Sequence, residues 1–201
     1  TTNDAVNIAA NNVPNPTAGR EAIAVGQNAG ATHQHSIAIG RNATANWTNT
    51  ISIGKDTVAN KDHAVAIGSN ATATGIQSVT LGSYAKTEAN SSIALGQNAT
   101  VSGTGSTAAV AVGFLANASA ANTVAAGKSA SASVDNAVAL GVSSQASARN
   151  AAALGAYSNA SGERAAAVGA VAKASGTASF AGGTSANASG ANSIAIGGSM
   201  E

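Results

Sequence analysis

The chain alternates apolar and small residues in one short pattern that recurs from near its start to its end. Ile or Val, a small residue, then Ile, Val or Leu, then Gly, stand at Ile37-Ala38-Ile39-Gly40, Ile51-Ser52-Ile53-Gly54 and Ile93-Ala94-Leu95-Gly96. The motif glycines are Gly26, Gly40, Gly54, Gly68, Gly82 and Gly96, then Gly113, Gly127, Gly141, Gly155, Gly169, Gly183 and Gly197. Every step is 14 residues except Gly96 to Gly113, which is 17, so 13 repeats run over residues 20–197 with a three-residue insertion near 102–107. A fixed short period means a stacked array in which each repeat covers its neighbours.

The elements are strands. Alternation places Ile37 and Ile39 on one face and Ala38 on the other, and β-branched residues favour strands. Glycine after each strand permits a tight turn. A second short alternating stretch follows, as at Asn42-Ala43-Thr44-Ala45, and Asn60, Gly75 and Gly190 suit a second turn. Two short strands and two turns per 14 residues make one coil of a narrow β-solenoid.

Side-chain parity then decides what lies inside. Two positions before the motif glycine stand Ala24, Ala38, Ser52, Ala66, Thr80, Ala94 and Ala111; three after it stand Ala29, Ala43, Thr57, Ala71, Ala85, Ala99 and Ala116. The columns five after and four before it, such as Ala31, Ala45 and Ala59 or Ser36, Thr50 and Ala64, are equally small. A 14-residue coil has no room for more, so these four columns line the lumen. Thr44, Val58, Thr72, Lys86, Thr100, Asn117, Ser131 and Gln145, between two inward columns, make a solvent face.

The remaining columns point outward, yet they are large and apolar. One contains Ile23, Ile37, Ile51, Val65, Val79, Ile93, Val110, Val138 and Ile194; the other contains Val25, Ile39, Ile53, Ile67, Leu81, Leu95, Val112, Leu140 and Ile196. Monomers rarely expose contiguous apolar patches above a few hundred Å². The expectation is that this stripe is covered by self-association about a rotation axis, the usual symmetry of homo-oligomers. The reverse arrangement, with Ile and Val inside, gives a monomeric solenoid coated in alanine. The stripe thins toward the C-terminal third, where Ala126, Ala152, Ala166 and Gly182 replace large residues and Phe180 enlarges one layer.

Composition agrees with a coil too narrow for large side chains. The chain has 201 residues, of which 52 are alanine, with 2% aromatic and 8% charged, against roughly 25% charged in ordinary domains. A net charge of +1 from nine scattered Lys and Arg lacks the basic patch that nucleic acid requires. The absence of cysteine removes disulfides, thiolate metal sites and thiol catalysis.

The motifs Asn192-Ser193-Ile194-Ala195-Ile196-Gly197, Ser36-Ile37-Ala38-Ile39-Gly40 and Asn136-Ala137-Val138-Ala139-Leu140-Gly141 resemble the NSVAIG repeats of YadA-like heads, found in the trimeric autotransporter adhesins of Gram-negative bacteria. The 14-residue spacing matches as well. The resemblance implies an all-β, left-handed parallel β-roll, a homotrimer, and display at the bacterial cell surface on a stalk with an outer-membrane anchor. It also implies adhesion to host extracellular matrix, collagen or fibronectin being typical partners. Residues 20–201 are read as the head repeats and residues 1–19 as an N-terminal capping segment, where Val13-Pro14-Asn15-Pro16 would end strand pairing. Heptads, a neck motif and a membrane barrel are not recognised, so the expectation is a head fragment attached to the membrane only through an anchor elsewhere. The insertion at 102–107 is read as a bulged surface loop.

Candidate chemistry adds little. His33, His35 and His63 are the histidines, and solvated turn positions are the expectation for them over a metal site shared among chains. Asp56, Asp62, Glu88, Asp135 and Glu163 are scattered, and no serine stands in a nucleophile motif. The reading is a non-enzyme without metal or cofactor. Hexapeptide-repeat acyltransferases need longer coils, and ice-binding solenoids need a more regular threonine array. The lone tryptophan, Trp47, lies in a predicted turn and can anchor a partner. With Thr72 and Lys86 it forms the candidate ligand surface. Eight Asn-X-Ser/Thr sequons follow from the repeat itself and do not imply glycosylation. Three functions remain: an adhesin head binding multivalently, a rigid spacer, and a homotypic module joining like cells.

Overall fold

The computed structural model describes residues 5–8, 17–103 and 107–198. They divide into two compact units, Thr1–Asn98 and Ala99–Glu201, each a parallel β-solenoid in which strands of three and two residues alternate. In the N-terminal unit a coil runs from strand Val65–Ile67 through Gly68 and a turn to strand Thr72–Ala73, then through a second turn to Val79–Leu81. Each strand pairs with its counterpart one coil away: Val79 lies opposite Val65, Leu81 opposite Ile67, and Thr72 opposite Val58. The C-terminal unit repeats the scheme, with Val138 opposite Ala152 and Ser131 opposite Gln145.

Two departures from the 14-residue step are absorbed without breaking the ladders. Thr100 pairs with Asn117, so the three extra residues fall between Val101 and Val110; of that insertion, residues 104–106 lie outside the described residues. Strand Val6–Ile8 pairs with Ile23–Val25, and Thr17–Ala18 with Gly30–Ala31. Pairing therefore extends into the segment that periodicity alone leaves outside the repeats, while Val13–Pro16 lies outside the described residues.

Parity holds in both units. Ala24, Ala29, Ala31, Ala38, Ala66, Ala139 and Ala167 are buried, as are Ser36, Thr50, Ser78 and Thr123. Most lumen hydroxyls are bonded back to the turns that precede them: Thr57 Oγ1 donates to the Gly54 carbonyl at 2.8 Å, Ser78 Oγ to Gly75 at 2.7 Å, and Thr123 Oγ1 to Ala120 at 2.7 Å. Thr80 Oγ1 donates to Thr87 Oγ1 at 2.7 Å across the lumen. These bonds offset the cost of burying a hydroxyl where Ser or Thr replaces Ala inside, while Ser52 Oγ and Ser179 Oγ are buried without a partner. Packing this close leaves no space for growth. Ala139→Leu inserts three carbons into a filled lumen, so it is expected to cost about 1–3 kcal/mol, read as a lower melting temperature by circular dichroism.

The turns explain the rest of the pattern. The amide of Ala71 donates to the Gly68 carbonyl at 3.2 Å, and that of Ala64 to the Lys61 carbonyl at 3.1 Å, closing two β-turns per coil. The third residue of each has positive φ, 58° at Asn70 and 60° at His63, as type II turns require. Asn60, Gly75 and Gly190 are thus not the left-handed residues. Gly75 and Gly190 open their turns, Asn60 precedes one, and the positive φ falls at His63, Gln77 and Asn192. Turns also stack: the amide of Asn70 donates to Lys55 at 2.9 Å and that of Asp56 to Arg41 at 2.8 Å, one coil apart. The backbone shape of a turn is therefore imposed by its neighbours as well as by its own residues.

Candidate interface and ligand-binding surfaces

The outward face of the three-residue strands carries the apolar stripe. Ile23, Val25, Ile37, Ile51, Ile53, Val65, Ile67, Val110, Val112 and Val138 are half-buried, while Ile39, Val79, Leu81, Ile93, Leu95, Leu140, Ile194 and Ile196 are exposed. Like side chains stacked about 4.8 Å apart shield one another sideways. The branched residues thus point away from the alanine-filled lumen in both units, as parity requires, and the alternative with Ile and Val inside is overturned.

The outward face of the two-residue strands is polar. Thr72 is half-buried and Lys86 exposed there, and Lys86 Nζ pairs with Glu88 Oε1 at 2.6 Å. Trp47 opens a turn on the edge beside this face. It is 38% exposed and is held by residues one coil either way. The His33 ring lies nearly parallel at 6.1 Å between centroids, Lys61 Nζ sits 4.9 Å from the ring centroid, and the indole N–H donates to Asn60 Oδ1 at 2.8 Å. His33, Trp47 and Lys61 share one column, so this rigid stack follows from the period. It does not bring Trp47 to Thr72, which lies on the neighbouring strand face.

The remaining histidines also sit in turns. His35 Nε2 meets Glu21 Oε2 at 2.5 Å, and its Nδ1 meets Asn49 Oδ1 at 3.2 Å. The Gln34 amide and the His35 ring together hold the Glu21 carboxyl below its usual range. The Asn42 amide, donating at 2.7 Å, does the same for Asp56, helped by Lys55. These groups form ladders between coils: Asn28 donates to Asn42 as Asn42 does to Asp56, and Asn122 donates to Asn136 as Asn136 does to Asn150. Among the described residues no three His, Asp or Glu side chains converge on a point that could hold a metal ion.

These repeats can be compared with known ones. The family model described as the YadA head domain repeat matches residues 18–43, 48–71, 59–85, 73–99, 88–108, 109–130, 132–158, 160–185 and 174–199. The chain belongs to the YadA head-repeat family. No curated protein matches it significantly. Among solved structures, the collagen-binding domain of the Yersinia adhesin YadA is similar over 98% of this chain and 82% of that one, with 22% sequence identity and a TM-score of 0.33.

One feature of these YadA-type coils escapes the sequence reading. In the turn after each motif glycine, the N-terminal unit places Gln27, Arg41, Lys55 and Ser69, followed by Asn28, Asn42, Asp56 and Asn70, with Tyr84 the departure. In the C-terminal unit the same two columns mix apolar and polar residues: Phe114, Lys128, Val142, Ala156, Ala170 and Thr184, then Leu115, Ser129, Ser143, Tyr157, Val171 and Ser185. Phe114, Leu115, Val142, Tyr157 and Val171 are all exposed. Leu115, Tyr157 and Val171 have φ of 57°, 56° and 58°, a region that costs ordinary residues about 1–2 kcal/mol and is worst for β-branched ones. Column comparison, applied to turns as it was to strands, is the signal that finds them.

Proposed function

We propose that this chain is the head of a homotrimeric adhesin displayed on a bacterial cell surface, binding host matrix protein without catalysis. The observation that carries the reading is the outward apolar strand face over a lumen of Ala, Ser and Thr. A chain whose large aliphatic side chains lie outside gains their burial only by association, and membership of the YadA head-repeat family supports three as the number of chains. Burying a Val, Leu or Ile side chain is worth about 1.5–3 kcal/mol, so columns of them give assembly a strong drive.

With that face turned inward, the polar strand face and the turn edges remain for ligand. Their coils repeat one local surface many times, so individually weak contacts add through multivalency. Collagen is the first ligand to test and fibronectin the second. Thr72, Lys86 and the exposed rim of Trp47 are the proposed contacts. Thr72→Ala, Lys86→Ala and Trp47→Ala, combined, are expected to weaken immobilised-collagen binding at least ~10-fold, about 1.4 kcal/mol, with the trimeric mass unchanged. A trimeric triple variant that binds collagen and fibronectin as the parent does places the ligand surface elsewhere. A parent head that binds no matrix protein refutes the adhesive reading and leaves a spacer.

A further inference from the structure

We propose that the turn edge of the N-terminal unit that holds all three histidines is an acid-switched site for a sulfated glycan. This ligand differs from the matrix protein proposed above, and the site lies within one chain. Four successive turns build it: Gly19-Arg20-Glu21, His33-Gln34-His35, Trp47-Thr48-Asn49 and Lys61-Asp62-His63. They stack through the backbone, the His35 amide donating to Arg20 at 3.4 Å, that of Asn49 to Gln34 at 3.1 Å and that of His63 to Thr48 at 3.1 Å. His33, His35, His63 and Arg20 are exposed, and Lys61 and Asp62 are half-buried. The next two turns on this edge, Gly75-Ile76-Gln77 and Ala89-Asn90-Ser91, hold neither charge nor histidine. The other edge of the same unit holds Arg41, Lys55 and Asp56 but no histidine.

Charge on this edge is balanced at neutral pH. Arg20 and Lys61 supply two positive charges, and Glu21 and Asp62 two negative ones, so with neutral histidines the sum is zero. Histidine is the side chain that ordinarily changes charge between pH 5 and 8, whereas carboxylates titrate about two units lower. Hydrogen bonds from Gln34 and His35 hold the Glu21 carboxyl lower still. Acidification to pH 5.5 therefore adds positive charge and removes none, taking the edge from zero toward three positive charges.

The rings are held in place. His33 Nδ1 meets Thr32 Oγ1 at 3.1 Å, and that hydroxyl donates its one proton to Asn46 Oδ1 at 3.1 Å. His33 Nδ1 is thus the nitrogen that carries hydrogen, and Nε2 is left to take up the added proton. The Trp47 ring stacks with His33 and lies 4.9 Å from Lys61 Nζ, which fixes two cationic groups against one rigid plane. His35 sits between Glu21 Oε2 at 2.5 Å and Asn49 Oδ1 at 3.2 Å. Charges placed in advance lower the ordering cost that binding must overcome.

The switch selects its ligand. A partner that gains from it must stay fully negative at pH 5.5 and must extend along turns stacked about 4.8 Å apart. Phosphomonoesters take up a proton near pH 6, while sulfate esters remain ionised. A sulfated glycan chain presents such groups in a line, with hydroxyls between them for the exposed Gln34 and Asn49 amides. An alternation of cationic and amide side chains along one edge fits that chemistry.

The test is calorimetric titration of a heparin octasaccharide at pH 5.5 and pH 7.5 and constant ionic strength. The parent is expected to bind at least ~10-fold tighter at pH 5.5, with the advantage shrinking as salt is raised. His33→Gln, His35→Gln and His63→Gln, combined, are expected to abolish that gain with circular dichroism unchanged, since Gln77 already occupies the equivalent turn position at φ of 56°. Arg20→Gln with Lys61→Gln, which leaves every histidine in place, is expected to weaken binding at both pH values. Arg41→Gln with Lys55→Gln, on the other edge, is expected to keep the gain. Equal parent affinity at the two pH values overturns the proposal, as does a gain that survives in the histidine variant or is lost in the other-edge variant. An Arg20 and Lys61 variant that binds as the parent does overturns it independently. Collagen binding by the parent at pH 7.5 reports separately on the matrix-protein reading.

Discussion

Gly68→Ala is expected to lower the melting temperature by roughly 6–20 °C, while Gly30→Ala leaves it unchanged or slightly raised. Gly68 has φ of 130°, a conformation held almost solely by glycine, with a penalty of about 1–3 kcal/mol for other residues. A Cβ built there would lie 2.6 Å from the Gly82 carbonyl oxygen in the next coil. That oxygen is backbone within the ladder and cannot swing aside. Relieving the overlap requires the coils to part, losing hydrogen bonds such as the one from the Gly82 amide to Ile67 at 2.9 Å. Together these put the loss at about 3–5 kcal/mol, and each kcal/mol is worth roughly 2–4 °C at this chain length. At Gly30 a Cβ would meet only Asn46 Oδ1 at 3.8 Å, and the same column carries Thr44 and Thr72 elsewhere. Thermal melts of the two variants side by side make the comparison, and equal melting would show that the motif glycines are not required by close stacking.

The second large effect concerns assembly. Ile39→Asp with Ile67→Asp places two carboxylates on the outward strand face, with Ile53 between them. They stand two coils apart, about 9–10 Å, so their mutual repulsion within one chain is modest. In an isolated solenoid both remain in water and the fold persists. In a trimer whose strand faces meet, six carboxylates would be drawn into an apolar contact, and each unpaired buried charge costs several kcal/mol. The variant is therefore expected to be a folded monomer of 18.9 kDa, with unchanged circular dichroism and a dissociation constant raised by at least ~1,000-fold. A variant that still assembles would remove the strand face from the contact.

The coil was legible because its constraints act on composition. A lumen that admits Ala, Ser and Thr, with Val101 the one larger side chain among the described residues, writes four columns of small residues, and period-two alternation then fixes the faces of Ile37-Ala38-Ile39. The turns were less legible because neighbours set their shape. Asn70 and His63 carry a recognisable left-handed preference, but Val171 and Leu115 do not, and only the backbone φ shows that they share the conformation. The strand Val6–Ile8 was hidden for a different reason: its 17-residue offset from Ile23–Val25 breaks the period on which the reading depended. The Trp47 stack lay within reach, since His33, Trp47 and Lys61 stand one period apart. Its geometry shows a ring held from both neighbouring coils, which leaves only its rim for the proposed ligand.

The pattern of φ also separates two demands on the same short turn. Motif glycines answer a steric demand, because the next coil's carbonyl occupies the space a side chain would need. The left-handed residues answer a torsional one, and asparagine, histidine or serine meets it with open space outward. Where the chain places Leu115, Tyr157 and Val171 at such positions, it accepts strain on the outside of the coil.

The most direct measurement of the central claim is the mass of the unmodified chain by size exclusion coupled to light scattering. The account expects three times 18.9 kDa, persisting on dilution to low micromolar concentration. A stable, folded species of 18.9 kDa at every concentration would contradict it, because the outward Ile, Val and Leu columns would then face water in the native state.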